Sequence, residues 1–142
     1  MKSYKKIVSL VLCCMMLAGI ALLAGCGSSQ KADKKVLKVG MECGYAPYNW
    51  TQTDNANGAV KIAGSDAYAY GYDVIVAKKL AESMGAELEI HKIEWDGLAP
   101  AVASGKIDAA IAGMSITSKR KESVDFTSPY YYASVVALTK VD

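Results

Sequence analysis

From residue 36 onward, short apolar runs alternate with two amphipathic helical stretches, and that order leaves few folds open. Residues 36–41 are β-branched and apolar and read as a first strand. Over residues 73–84 a helix is predicted: Val74, Ala77, Leu80, Ala81 and Met84 share one face, while Lys78, Lys79 and Glu82 point outward. Asp73 is placed to cap its start and Gly85 to end it. Residues 88–93 alternate as a second strand. Asp96 or Gly97 then opens a second helix with Leu98, Ala101 and Val102 inward, Pro100 tolerated in the opening turn, and Gly105 as the stop. Residues 109–112, small and apolar, read as a strand buried on both faces. Strand, helix, strand, helix, strand predicts an α/β fold, a parallel sheet with flanking helices and right-handed crossovers. Residues 42–71, rich in Asn, Asp, Gly and Tyr, read as a long functional connection.

The start of the chain is of another kind. Lys2, Lys5 and Lys6 make a basic head, and residues 7–24 are an almost uninterrupted apolar run without charge, the order of an export signal. The run also reaches the length of a membrane-spanning helix, so an uncleaved anchor is the competing reading. Leu23-Ala24-Gly25-Cys26 resembles the bacterial lipobox, in which small residues fit the signal peptidase and the cysteine receives the lipid. Residues 27–35 are polar and Gly/Ser-containing, as suits a tether. The expected organisation is a lipoprotein signal peptide over 1–25, a lipidated tether over 26–35, and a folded part over 36–142. One acyl chain holds a protein only marginally, so stable attachment implies more than one, of the palmitate kind, on Cys26. The folded part is then expected on the outer face of the cell membrane, or on the periplasmic side where two membranes are present.

Charge and cysteine usage narrow the classes further. Three of the 16 basic residues precede Cys26 and none of the 14 acidic ones do, which leaves the remainder close to neutral. A near-neutral domain has no electrostatic footprint for nucleic acid. Cys13 and Cys14 lie in the leader and Cys26 is the proposed lipid site, so Cys43 is left without an internal disulfide partner and reads as a small, partly buried filler. No His/Cys cluster points to a metal, and nothing in the pattern calls for a cofactor. His91 sits in a strand-like run and reads as structural.

In open parallel sheets, ligands lie beyond the carboxyl ends of the strands. Three segments leave strands at that edge: residues 42–48, 94–97 and 113–120. In the third, the chain leaves a buried strand through Gly113, and Thr117 can cap a short helix whose first turn holds Lys119, Arg120 and Lys121. Cations there oppose the helix dipole and so suggest an expected anion. An arginine fork, backbone N–H groups and the Ser115 hydroxyl are suited to one carboxylate. On local chemistry alone, ordinary solvated charges account for the run equally well.

Gly71-Tyr72-Asp73-Val74, Trp95-Asp96-Gly97-Leu98, Gly105-Lys106-Ile107-Asp108, Gly113-Met114-Ser115-Ile116-Thr117 with Arg120, Val124-Asp125-Phe126-Thr127 and Pro129-Tyr130-Tyr131 occur in order over residues 37–138. Together they resemble the bacterial extracellular solute-binding protein family 3, the polar amino-acid-binding lipoproteins of ABC transporters. The resemblance implies a periplasmic-binding-protein-like type II lobe. It places the ligand carboxylate on Arg120, its hydroxyl partner on Ser115, and the carbonyl that meets the ligand amino group on Gly113. It also places aromatic walls on Tyr45 and Trp95, which suit the task because flat rings give large contact area and attract cations. Glu42 matches the position where relatives that prefer cationic side chains carry an acid. Core packing is the plainer reading for Trp95 and less so for Tyr45, which sits among loop residues.

The resemblance further implies an amino-acid ligand, a permease partner, a membrane reached through the lipid anchor, and a monomer without catalytic residues. Relatives have two lobes, and residues 135–139 read as the strand that crosses to the second, which is then missing; weak binding and marginal folding are expected on that ground. A dehydratase-like enzyme acting on a cyclic carboxylate is the alternative on the same scaffold, and a ligand-sensing module is another. No nucleophile–base pair favours the enzyme. Asp73, Asp96 and Asp108 read as caps rather than acid–base groups, and Tyr130, Tyr131 and Tyr132 as packing.

Overall fold

A computed structural model of the chain describes residues 35–134 and 136–141. The leader, Cys26 and the tether up to residue 34 lie outside the described residues. The expected parallel sheet is present: β1 (Val36–Met41), β6 (Glu87–Lys92) and β7 (Ala109–Ala110) lie in the order β6-β1-β7. Both pairings with β1 are parallel. In chain order, helix α1 (Tyr72–Ser83) joins β1 to β6, and α2 (Trp95–Ala103) joins β6 to β7.

The central strand explains the layering. Val39 and Met41 point to one face, fully buried in a cluster with Val74, Ala77 and Ala81 of α1. Gly40 points to the other face, where a Cβ would come within 2.5 Å of Ile107 Cδ1 and 3.1 Å of Leu98 Cδ2, so α2 sits against bare backbone. Each fully buried aliphatic side chain here contributes about 1.5–3 kcal/mol.

Both helices end as predicted, through a left-handed glycine. Gly85 (φ +61) follows α1, with Ala86 N–H donating to Ala81 C=O at 2.9 Å and Gly85 N–H to Glu82 C=O at 3.1 Å. Gly105 (φ +72) follows α2 with the same pair of bonds, from Lys106 to Ala101 and from Gly105 to Val102, both 3.0 Å. Leu80 and Met84, assigned to the inner face of α1, are part-exposed at 37% and 40%, because the helix buries only the narrow stripe of Val74, Ala77 and Ala81.

Several expectations are corrected. The connection over 42–71 is not a plain loop: it folds as the antiparallel strands β2 (Gly44–Tyr45), β3 (Asn49–Gln52), β4 (Val60–Lys61) and β5 (Tyr68–Tyr70), in the order β2-β3-β5-β4. Strands of two to four residues are too short to show a period, and cross-strand partners define them, as where Trp50 packs edge-on to Tyr70 at 5.1 Å. Pro100 is the sixth residue of α2, beyond the opening turn, in a helix of nine residues. Residues 136–141 form no strand, and Val136, Leu138 and Val141 are 75%, 95% and 91% exposed.

Asp73 is not the cap of α1. It is the second helical residue, and Gly71 occupies the cap position at φ +130, with no side-chain cap. A Cβ on Gly71 would run into the Tyr48 carbonyl. That close approach lets the 45–48 turn cap the helix through its backbone: Tyr72 N–H donates to Pro47 C=O at 3.2 Å and Asp73 N–H to Tyr48 C=O at 2.8 Å. Asp96 makes no cap bond either. Asp108 ties strands together instead, its carboxylate accepting the Lys38 N–H at 2.8 Å.

Candidate functional site

All three strands of the parallel sheet release the chain at one edge, and the predicted residues lie in the loops found there. After β1 come Glu42, half-buried, and Cys43, buried with φ +56. Cys43 is thus a more complete filler than expected, and burial pushes its thiol up to about 11. Tyr45, in β2, is 48% exposed and stacks on Tyr48 with ring centroids 4.9 Å apart. The Tyr48 phenol is itself pushed up to about 12, chiefly by its hydrogen bond to Tyr131.

After β6, Trp95 is the first residue of α2 and packs, half-buried, against the core, as its packing reading expects. After β7, Gly113 takes φ +63, a conformation that a side chain would strain. A Cβ there would lie 3.5 Å from Tyr45 Cε1, ordinary contact, so backbone conformation rather than space calls for glycine, and Tyr45 is its neighbour.

Thr117 caps α3 (Ser118–Lys121) as predicted, its hydroxyl accepting the Arg120 N–H at 3.2 Å. The Arg120 side chain folds back: Nη1 donates to the Ser115 carbonyl at 2.8 Å, and the guanidinium carbon lies 5.3 Å from the Trp95 ring centroid. These contacts fix the direction of the fork and engage one of its N–H donors. The Arg120 bond to Ser115 uses that residue's backbone carbonyl and not its hydroxyl.

The six candidates are not gathered equally. Trp95 and Arg120 line a cleft of about 420 Å³, with Asp96, Met114 and Lys119 among its walls. Gly113 and Ser115 line an adjoining groove of about 330 Å³ that Met114 also borders. Tyr45 reaches the same edge through Gly113. Glu42 lies in the same loop as Tyr45 and forms no salt bridge among the described residues.

Three residues of this edge escaped prediction as a group. Asp73 is fully buried; its Oδ2 accepts from Asn49 Nδ2 at 2.7 Å and its Oδ1 from the Tyr130 hydroxyl at 2.9 Å. The Tyr130 oxygen accepts the Gly113 N–H at 2.9 Å, and Asn49 Oδ1 accepts the Cys43 N–H at 2.8 Å. Burial pushes the Tyr130 phenol well above its usual range. Tyr130 therefore makes hydrogen bonds as well as packing, its ring stacked on Tyr72 at 6.2 Å; Tyr131 packs edge-on to Tyr48 at 5.3 Å as expected, whereas Tyr132 is 82% exposed. The available signal was a carboxylate just inside a glycine-capped helix, a position that needs no cap of its own.

Among the described residues no His/Cys/Asp/Glu group is arranged to hold a metal, and no helix is long and apolar enough to cross a membrane.

Comparison with known proteins fits this geometry. The sequence pattern of the bacterial extracellular solute-binding proteins, family 3, matches residues 37–142. The arginine-binding extracellular protein ArtP of Bacillus subtilis is 32% identical over 97% of this chain, and the L-arginine-binding protein of Pseudomonas aeruginosa 37% identical over 70%. The chain spans 49% of the first of these relatives and 34% of the second. The arginine-bound form of domain 1 from TmArgBP, the arginine-binding protein of T. maritima, superposes with a TM-score of 0.55 at 36% identity, over 68% of this chain and 67% of that one. With the match running over 37–142, from the first strand through the loops at the carboxyl edge of the sheet, the chain belongs to the bacterial extracellular solute-binding proteins, family 3.

Proposed function

We propose that the chain is the substrate-binding component of an ABC transporter for polar amino acids with a preference for cationic ones, and that Arg120 pairs with the ligand carboxylate. One observation carries the reading: a guanidinium is held at the carboxyl edge of a parallel sheet by a carbonyl and an indole face. A charge-assisted fork of this kind is suited to a carboxylate. In this reading the Gly113 carbonyl meets the ligand amino group, Ser115 supplies a further donor, Tyr45 and Trp95 flank the side chain, and Glu42 faces its cationic end. The arginine-binding relatives support the ligand class.

Cys26 is the proposed lipid site, with residues 26–35 as tether and 1–25 as a removed signal. The domain then works as a monomer outside the cell membrane and delivers its ligand to a permease. The single-domain, arginine-bound form of TmArgBP supports ligand binding by one lobe. Calorimetric titration of the full chain in detergent with arginine tests the reading. Arg120→Met is expected to lower affinity at least ~100-fold, since the partner carboxylate loses a charge-assisted pair. Undiminished affinity would put the pocket elsewhere. Equal affinity for arginine and citrulline would remove Glu42 from the site.

A further inference from the structure

The buried carboxylate of Asp73 stands where the two loops meet, and each of its oxygens serves a different one. Through Tyr130, Oδ1 reaches the backbone of Gly113, in the loop after β7; through Asn49, Oδ2 reaches the backbone of Cys43, in the loop after β1. Both end points have positive φ, +63 at Gly113 and +56 at Cys43. For Cys43, a non-glycine residue, that conformation costs energy that its surroundings must repay. The donors are ordered along each arm: the Gly113 N–H donates to Tyr130, which donates to Asp73, and the Cys43 N–H donates to Asn49, which donates to Asp73. A carboxylate is the one group here that accepts from both arms without a donor of its own. Asp73 itself sits on a rigid element, in the first turn of α1 with its N–H bound to the 45–48 turn.

We infer that Asp73 is a positioning residue that sets the spacing between the loop carrying Glu42 and Tyr45 and the loop carrying Gly113 and Ser115. The inference rests on the reading of those loops as the amino-acid site. On that reading the Tyr130 arm governs the grip on the ligand's backbone end, and the Asn49 arm governs the side-chain end. Burial of the Asn49 arm makes its bonds worth more than exposed ones and leaves an unmatched group there costly, while the Tyr130 arm is part-buried at Asp73 and exposed at Gly113.

The test uses the ¹⁵N-labelled full chain in detergent, with amide exchange at Gly113 and Cys43 and titration with arginine and citrulline. Tyr130→Phe is expected to speed exchange at Gly113 but not at Cys43, and to weaken both ligands by the same factor, roughly tenfold or less for one part-buried bond. Asn49→Ala is expected to speed exchange at Cys43 and to narrow the preference for arginine over citrulline. Asp73→Asn, which turns one acceptor into a donor, is expected to disturb at least one arm. Unchanged exchange at both amides in Asp73→Asn, or faster exchange spread evenly across β1 and β6, would overturn the inference. So would altered exchange with unaltered affinities. If Asn49→Ala does not fold, Tyr130→Phe decides alone. If the unmodified chain binds neither ligand, the amino-acid reading fails separately, and the clamp is still judged by the exchange pattern.

Discussion

Residues 36–41 and residues 136–139 have nearly the same local character, β-branched and apolar with one polar interruption, yet they end in opposite states. The first is the central strand of the sheet, with Val39 and Met41 fully buried. In the second, the described residues carry no strand, and Leu138 is 95% exposed. The difference is in neighbours. β1 has a parallel partner on each edge and a helix over each face, whereas residues 136–141 have none of these among the described residues. Strand propensity measures fit to a pleated, half-buried surface, and without that surface it specifies little.

Four measurements would break or sharpen this contrast. Met41→Ala should cost about 2–5 kcal/mol in denaturant unfolding, because a fully buried side chain leaves a cavity in the sheet core. A loss under about 1 kcal/mol would mean that the sheet is not the stable part. The Cys43 thiol, raised to about 11 from 9.0, is protonated in both folded and unfolded chains below pH 9. Between pH 9 and about 11 the unfolded chain releases this proton more readily, so stability should fall with rising pH, by up to about 2 kcal/mol. Unfolding across that range, with alkylation mapped to Cys43 appearing only as the chain opens, checks both sign and site.

A smaller effect is expected at the helix end. Gly85→Ala places a Cβ at φ +61 in open space, so strain alone should cost about 1 kcal/mol, read as a drop in thermal midpoint. Leu138→Ala should change stability by less than about 0.5 kcal/mol, since nothing covers the side chain. A loss as large as that at Met41 would show residues 136–141 packed in solution and would erase the contrast.

The same logic divides what could be read in advance. β1, β6 and both long helices were legible because each is long enough to show a period, and each of the two helices is followed by a glycine that completes a backbone cap. β2 to β5 were not, because strands of two to four residues exist only by pairing. At the candidate site, Thr117 capping and the neighbourhood of Arg120, Gly113 and Ser115 followed from local pattern. The turn of Arg120 onto Trp95 did not, since the two are 25 positions apart in the chain and meet only when β6 and β7 flank β1.

Asp73 shows the division most clearly. Its place at a helix start is local information and suggests a cap, as it would in any isolated peptide. Its actual partners, Asn49 and Tyr130, come from segments 24 and 57 positions away. By itself, then, the sequence determined the order of elements, the parallel sheet and the edge where chemistry collects, because periodicity and chain stops are short-range properties. Only the tertiary structure decided which buried polar groups satisfy one another, because a desolvated donor or acceptor must find its partner across whatever chain the fold brings near.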